Sequence, residues 1–115
     1  MNEELEFRVI KKLADIFDAI GNPVRLLVLY ALREQDDNTL KWQEILEDLG
    51  KSGGALKFHM DKLEALDLID SFSGTYRITT KGIGLLYLVD LLKDRVEKML
   101  RVELEQFDMK DIFVS

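Results

Sequence analysis

One histidine and no cysteine set the chemical repertoire of this chain. His59 has neither a thiol nor a second imidazole to work with, so no base–nucleophile pair for covalent catalysis can be assembled around it. "SGG" at 52–54 lacks the Gly-Lys-Ser/Thr that turns a glycine-rich turn into a phosphate cradle. Asp90, Asp94 and Glu97 are spaced as one acidic helix face. Without nitrogen or sulfur ligands beside them they predict a solvated face and no tight zinc site. No enzymatic activity, cofactor or metal is expected.

The residues that do carry chemistry are suited to recognition. They lie in "KSGGALKFHMDKLEALDLID", residues 51–70. At 100° per residue, Leu56, Met60 and Leu63 form one buried stripe, with His59 and Leu66 on its flank. Gly54, Phe58, Asp61 and Ala65 point the opposite way, between edges made by Ala55 and Lys62 and by Lys57 and Glu64. Small residues at the start of a helix allow close approach to a groove wall. The helix N-terminus, with Ser52 and the amides of Gly53 and Gly54, favours a phosphate. Phe58 is placed to pack on a thymine methyl, and Asp61 to accept from a cytosine amino group while repelling a phosphate. No Arg or Asn stands on this face, so the commonest bidentate contacts to guanine and adenine are missing. His59 reads as a hydrogen-bonded boundary residue.

The elements that must position this helix follow from local pattern. Leu5, Val9, Leu13, Ile16, Phe17 and Ile20 recur at helical spacing over residues 4–20. "GNP" breaks that helix, with Asn22 as the next N-cap and Pro23 in the first turn. "VRLLVLYALRE" is apolar almost all round and predicts a central helix. A short helix over about residues 41–49 turns Trp42, Ile45, Leu46 and Leu49 inward, and Gly50 caps it. "KSGG" leads into the helix at about 54–66. The period then changes to alternation in "LIDSF" and "TYRIT", joined at Ser73-Gly74 as a hairpin. A last helix runs from about Thr80 to Gln106, roughly 40 Å at 1.5 Å per residue. Its Leu85, Val89, Leu92, Val96 and Met99 alternate steps of four and three, with Leu88 widening the stripe. With Leu5, Val9 and Leu13 these make a helix–helix seam, which predicts a homodimer.

The bulk numbers agree with a single small domain. The chain has 115 residues, 47% hydrophobic and 33% charged, and a formal net charge of −6. Only residues 51–82, which contain the 54–66 helix, rise above neutrality. Within them Lys51, Lys57, Lys62, Arg77 and Lys81 are the cations available for phosphates. No apolar run is long enough to span a bilayer, and the acidic start "MNEELEF" is unlike a signal peptide. Cytoplasmic residence is the expectation, with no membrane partner.

A short helix, a glycine-bearing turn, a second helix and a hairpin make the pattern of a winged helix-turn-helix. Three segments in this order also resemble a known family. "IFDAIGNPVRLLVLYAL" resembles the opening of ArsR-type regulators, and "GALKFHMDKLEALDLI", with His59-Met60, resembles their recognition helix. "YRITTKGIGLL" resembles the strand-to-helix junction of ArsR- and MarR-like proteins, particularly archaeal ones; the metal-sensing cysteines and the histidine–carboxylate pairs of many ArsR-like members are absent.

The resemblance implies a mainly α fold with a small β-hairpin: an N-terminal helix (1–20), a winged core (23–79), a C-terminal dimerisation helix (80–106) and a tail (107–115). It further implies a homodimeric transcriptional regulator that places the 54–66 helix in the major groove of double-stranded DNA. The site residues carried by that reading are Lys51, Ser52, Gly53, Gly54, Ala55, Lys57, Phe58, Asp61, Lys62 and Arg77. The interface residues are Leu5, Val9, Leu13, Leu85, Leu88, Val89, Leu92, Val96 and Met99. The alternative from composition is a winged-helix protein–protein module whose acidic surface avoids DNA, in keeping with a pI of about 4.8. In either case the hairpin is too short for deep minor-groove insertion, and Leu68, Phe72, Tyr76 and Ile78 are its candidates for capping the core.

Overall fold

Asn2 starts the first helix, α1 (Glu3–Ile20), by accepting a hydrogen bond from the Glu4 amide at 2.8 Å through its side chain. Glu3, Glu4 and Glu6 in the first turn complement the positive end of the helix dipole. The structure, a computed structural model, describes residues 2–50 and 52–106. The tail at 107–115 lies outside them. Asn22 then caps α2 (Pro23–Glu34), accepting from the amides of Val24 at 2.9 Å and Arg25 at 3.2 Å. Pro23 at the first helical position has no amide hydrogen left to satisfy.

A three-residue strand, β1 (Thr39–Lys41), follows α2. It was not expected, because three residues are too few to display an alternation of their own. The Asp37 carboxylate accepts from the Thr39 amide at 3.1 Å, and bonding to Thr39 holds this carboxyl below the usual aspartate range. Next come α3 (Trp42–Leu49), closed by Gly50 in the left-handed conformation, and α4 (Gly53–Ala65), capped by Ser52. The hairpin is β2 (Ile69–Phe72) and β3 (Thr75–Ile78). Ser73 and Gly74 both have positive φ (51° and 78°), as a two-residue turn matched to strand twist requires. β3 lies centrally, antiparallel to both neighbours, in the order β1-β3-β2; Leu40 faces Tyr76 on one side and Ser71 faces it on the other.

Two compact units divide between Ile83 and Gly84. The first holds a core of Val28, Leu29 and Leu32 from α2, Ile45 from α3, and Leu56, Met60 and Leu63 from α4. Leu40, Leu68, Ile69, Tyr76 and Ile78 close it from the sheet side. Each fully buried aliphatic side chain contributes about 1.5–3 kcal/mol relative to exposure. The α4 stripe is therefore fixed inward by Leu56, Met60 and Leu63, and the helix cannot roll without exposing all three.

Two sequence expectations about the core need correction. Phe72 does not cap it: the ring is 83% exposed at the hairpin tip. Nor is α2 apolar all round in its burial, since Leu27 is 54% exposed while Arg25 is buried, at 6%.

At the junction into α5 (Thr80–Gln106), Thr79 makes hydrogen bonds through both its backbone and its side chain. The Thr79 amide donates to the Leu68 carbonyl at 3.0 Å. The Thr79 hydroxyl donates to the Asp67 carbonyl at 2.6 Å and accepts from the Gly82 amide at 3.1 Å. Gly82 lies so close to this turn that a Cβ there would clash with the Leu68 carbonyl oxygen and sit 2.7 Å from Ile78 Cγ1. Beyond the boundary, Leu86 is fully buried, while Leu88, Leu91, Leu92, Val96, Met99 and Leu100 are exposed.

Candidate nucleic-acid interface

Ser52 begins the candidate surface. Its hydroxyl accepts from the Ala55 amide at 3.3 Å, a capping bond that fixes the start of α4. Gly53, Gly54 and Ala55 are exposed in the first turn, and a Cβ added at Gly54 would meet nothing within 4 Å. The packing of the chain therefore does not require glycine at position 54. Lys51 lies outside the described residues.

Phe58 stands in solvent at 56% exposure, four residues along from Gly54 on the same face. Lys62 Nζ lies 5.5 Å from its ring centroid, and the His59 ring meets it edge-on at 5.8 Å. From α1, the Asp18 carboxylate reaches Lys62 Nζ at 3.3 Å. Lys57 and Asp61 pair along the helix at 2.9 Å, and that bond holds the Lys57 ammonium above its ordinary range. Asp61, expected to face a ligand by itself, is thus engaged within the chain.

The hairpin repeats this arrangement. Arg77 Nη2 bonds the Asp70 carboxylate at 2.9 Å, the two residues being cross-strand partners in the β2–β3 register. Lys81 pairs with Asp67 at 3.2 Å. Asp67 itself takes a left-handed backbone (φ 59°) in the turn after α4. The lysine–aspartate spacing of four on α4 is readable in sequence, and the Asp70–Arg77 pair follows once the turn is placed at 73–74. The Asp18–Lys62 pair joins residues 44 apart and has no local signal.

Behind α4, His59 Nδ1 lies 2.9 Å from Arg25 Nη1. Arg25 also donates through Nη2 to the Asp18 carbonyl at 3.0 Å and through Nε to the Ala19 carbonyl. One guanidinium therefore ties the end of α1 to the flank of α4. His59 is the hydrogen-bonded boundary residue that its place on the flank of the α4 stripe predicts, whereas the burial of Arg25 has no signal in its local spacing.

Of the expected interface residues, Leu5, Val9 and Leu13 are exposed on α1, together with Phe7, Ile10 and Phe17. On α5, Leu88, Leu92, Val96 and Met99 are exposed, while Leu85 and Val89 are partly buried. The acidic face of α5 is offset along the helix, Asp94 pairing with Lys98 at 3.1 Å and Glu97 with Lys93 at 3.8 Å. Among the described residues no cluster of three His, Asp or Glu gathers to hold a metal ion, and no helix is long and apolar enough to cross a membrane.

Comparison with solved structures places this architecture. Quinone-bound YodB from B. subtilis is similar at 19% identity and TM-score 0.68, over 76% of this chain and 98% of that one. An ArsR family transcriptional regulator is similar at 17% identity and TM-score 0.55, over 76% and 92%. A MarR family transcriptional regulator from Streptomyces coelicolor is similar at 19% and 0.57, over 95% and 81%. At these identities the likeness establishes the fold, a winged helix-turn-helix with a long C-terminal helix. No curated protein matches the chain significantly. A family model described as "Domain of unknown function (DUF7347)" matches residues 13–89, from within α1 to α5. With well over half of its length inside that match, the chain belongs to the DUF7347 family.

Proposed function

We propose that this protein is a homodimeric, ArsR-like DNA-binding transcriptional regulator that docks α4 in the major groove and acts without a metal. The observation that carries the reading is the outward face of α4. Its first turn is glycine- and alanine-lined with no packing demand at Gly54, and Phe58 stands open beside it. A helix presented this way fits a groove about 12 Å wide, with its N-terminal amides toward a phosphate. The solved winged-helix neighbours that are named transcriptional regulators support the same reading.

Dimerisation is supported by apolar surface that water would otherwise cover. The exposed stripe on α1 and the exposed stripe on α5 are each more extensive than the scattered apolar groups of a monomer surface. A two-fold dimer would present α4 twice, about one helical turn apart, roughly 34–36 Å.

A second reading, a protein–protein module, draws on the pairing of Lys57, Lys62, Arg77 and Lys81 with carboxylates. A gel-shift titration against genomic fragments, including the region upstream of the protein's own coding sequence, separates the two. A shifted band that Lys57→Glu with Lys62→Glu abolishes supports groove docking through α4. Binding that survives this double change would place the docking face elsewhere, and no shift at any fragment would favour the protein–protein module.

A further inference from the structure

Four cations on the proposed DNA surface each hold a carboxylate of the same chain: Lys57 with Asp61, Lys62 with Asp18, Arg77 with Asp70 and Lys81 with Asp67, at 2.9–3.3 Å. The carboxylates come from different places: α1, α4, the turn after α4, and β2. The recurrence is therefore not one helix's i,i+4 habit. A carboxylate at this distance presents to an ammonium or guanidinium the oxygen geometry that a phosphate would present.

We propose that Asp18, Asp61, Asp67 and Asp70 serve as internal stand-ins for phosphate that suppress sequence-independent DNA binding. The proposal rests on the DNA-binding reading and adds to it how the surface discriminates. Non-specific affinity comes almost entirely from cations meeting phosphates, with log K falling by about 0.9 per phosphate per decade of salt. A lysine already paired with a carboxylate contributes little of that attraction, because the arriving phosphate must displace the carboxylate or accept its repulsion. Exposed ion pairs are themselves weak, roughly 0–1 kcal/mol. A duplex that adds favourable base contacts at Phe58 and the first turn of α4 can therefore break them, while a random duplex gains nothing by doing so. Specificity is then set by what the carboxylates remove from the background.

The test is fluorescence anisotropy of the full chain with a labelled 30-base-pair random-sequence duplex, across a salt series. The variant replaces all four carboxylates: Asp18→Asn, Asp61→Asn, Asp67→Asn and Asp70→Asn. Asparagine preserves shape and tolerates the left-handed backbone at position 67. A control of equal charge change carries Glu3→Gln, Glu6→Gln, Asp15→Asn and Glu103→Gln.

The wild type is expected to bind the random duplex with a salt slope shallower than about −2. The fourfold variant should bind at least about tenfold tighter, with a slope near −5 if a dimer then neutralises roughly six phosphates. The control should change less than about threefold, because it raises net charge without freeing these cations. Adding Lys57→Glu and Lys62→Glu should erase the gain. If the fourfold variant loses its helical circular dichroism, Asp18→Asn with Asp61→Asn alone should still give a measurable part of the gain.

A variant that binds no better than the control overturns the proposal, and it does so without touching the DNA-binding reading if the wild type still shifts its own upstream fragment. Failure of every form to bind any duplex would remove both.

Discussion

Arg25 Nη1 lies 2.9 Å from His59 Nδ1, joining the first turn of α2 to α4, 34 residues later. Arginine can only donate, so Nδ1 is the acceptor and the ring hydrogen of the neutral imidazole rests on Nε2. Two other arms of the same guanidinium close the carbonyls of Asp18 and Ala19 at the end of α1. Arg25→Met keeps most of the volume and removes every one of these bonds. With hydrogen bonds from a charged donor worth about 1.5–3 kcal/mol each and two α1 carbonyls losing their donor, the expected destabilisation is roughly 2–5 kcal/mol by urea unfolding. Arg25→Lys should recover only part, because one ammonium cannot span three acceptors in the fork geometry. An Arg25→Met protein as stable as the wild type would show that the network is incidental.

Gly82 and Gly84 differ in what surrounds them. A Cβ at Gly82 would press on the Leu68 carbonyl and on Ile78, whereas at Gly84 it would meet nothing within 4 Å. Gly82→Ala should therefore lower stability by about 1–3 kcal/mol, the usual penalty of overpacking. Gly84→Ala should be neutral or raise stability by up to about 1 kcal/mol through helix propensity. Thermal unfolding of the two variants side by side decides it; equal midpoints would mean that the Thr79–Gly82 junction relaxes freely.

Gly54 separates folding from binding. The added methyl of Gly54→Ala meets open space in the free protein, so its urea midpoint should stay the same or rise slightly. In a groove the methyl would occupy the close approach to the wall. Duplex affinity should fall by about tenfold, or roughly 1.4 kcal/mol. Unchanged affinity in the gel-shift assay would mean that the first turn of α4 does not meet DNA.

Leu92 tests the proposed dimer. It is 58% exposed on α5 between Leu88 and Val96, so Leu92→Asp costs the single chain little in burial. In a helix–helix seam it would bury an unpaired carboxylate, and dissociation should rise at least a hundredfold, about 3 kcal/mol. Sedimentation should report a monomer at micromolar concentration, and an unchanged dimer would move the interface off this stripe.

Local chemistry alone determined much of this protein. Asn22-Pro23 starts α2, Leu56, Met60 and Leu63 orient α4, Ser73-Gly74 turns the hairpin, and α5 runs from Thr80 to Gln106, where the periodicity places it. Caps, turns and helical stripes are set by residues within about four positions of one another, so their signals survive in a linear reading. The tertiary structure decided what distance in the chain conceals. β1 exists because Leu40 finds Tyr76 across the sheet, not because three residues favour a strand. Arg25 is buried because carbonyls of α1 and the His59 ring converge on it. Lys62 is held by Asp18, which stands a whole helix-turn-helix away in sequence. Those partners are chosen by packing, and packing is not written in the spacing of either residue.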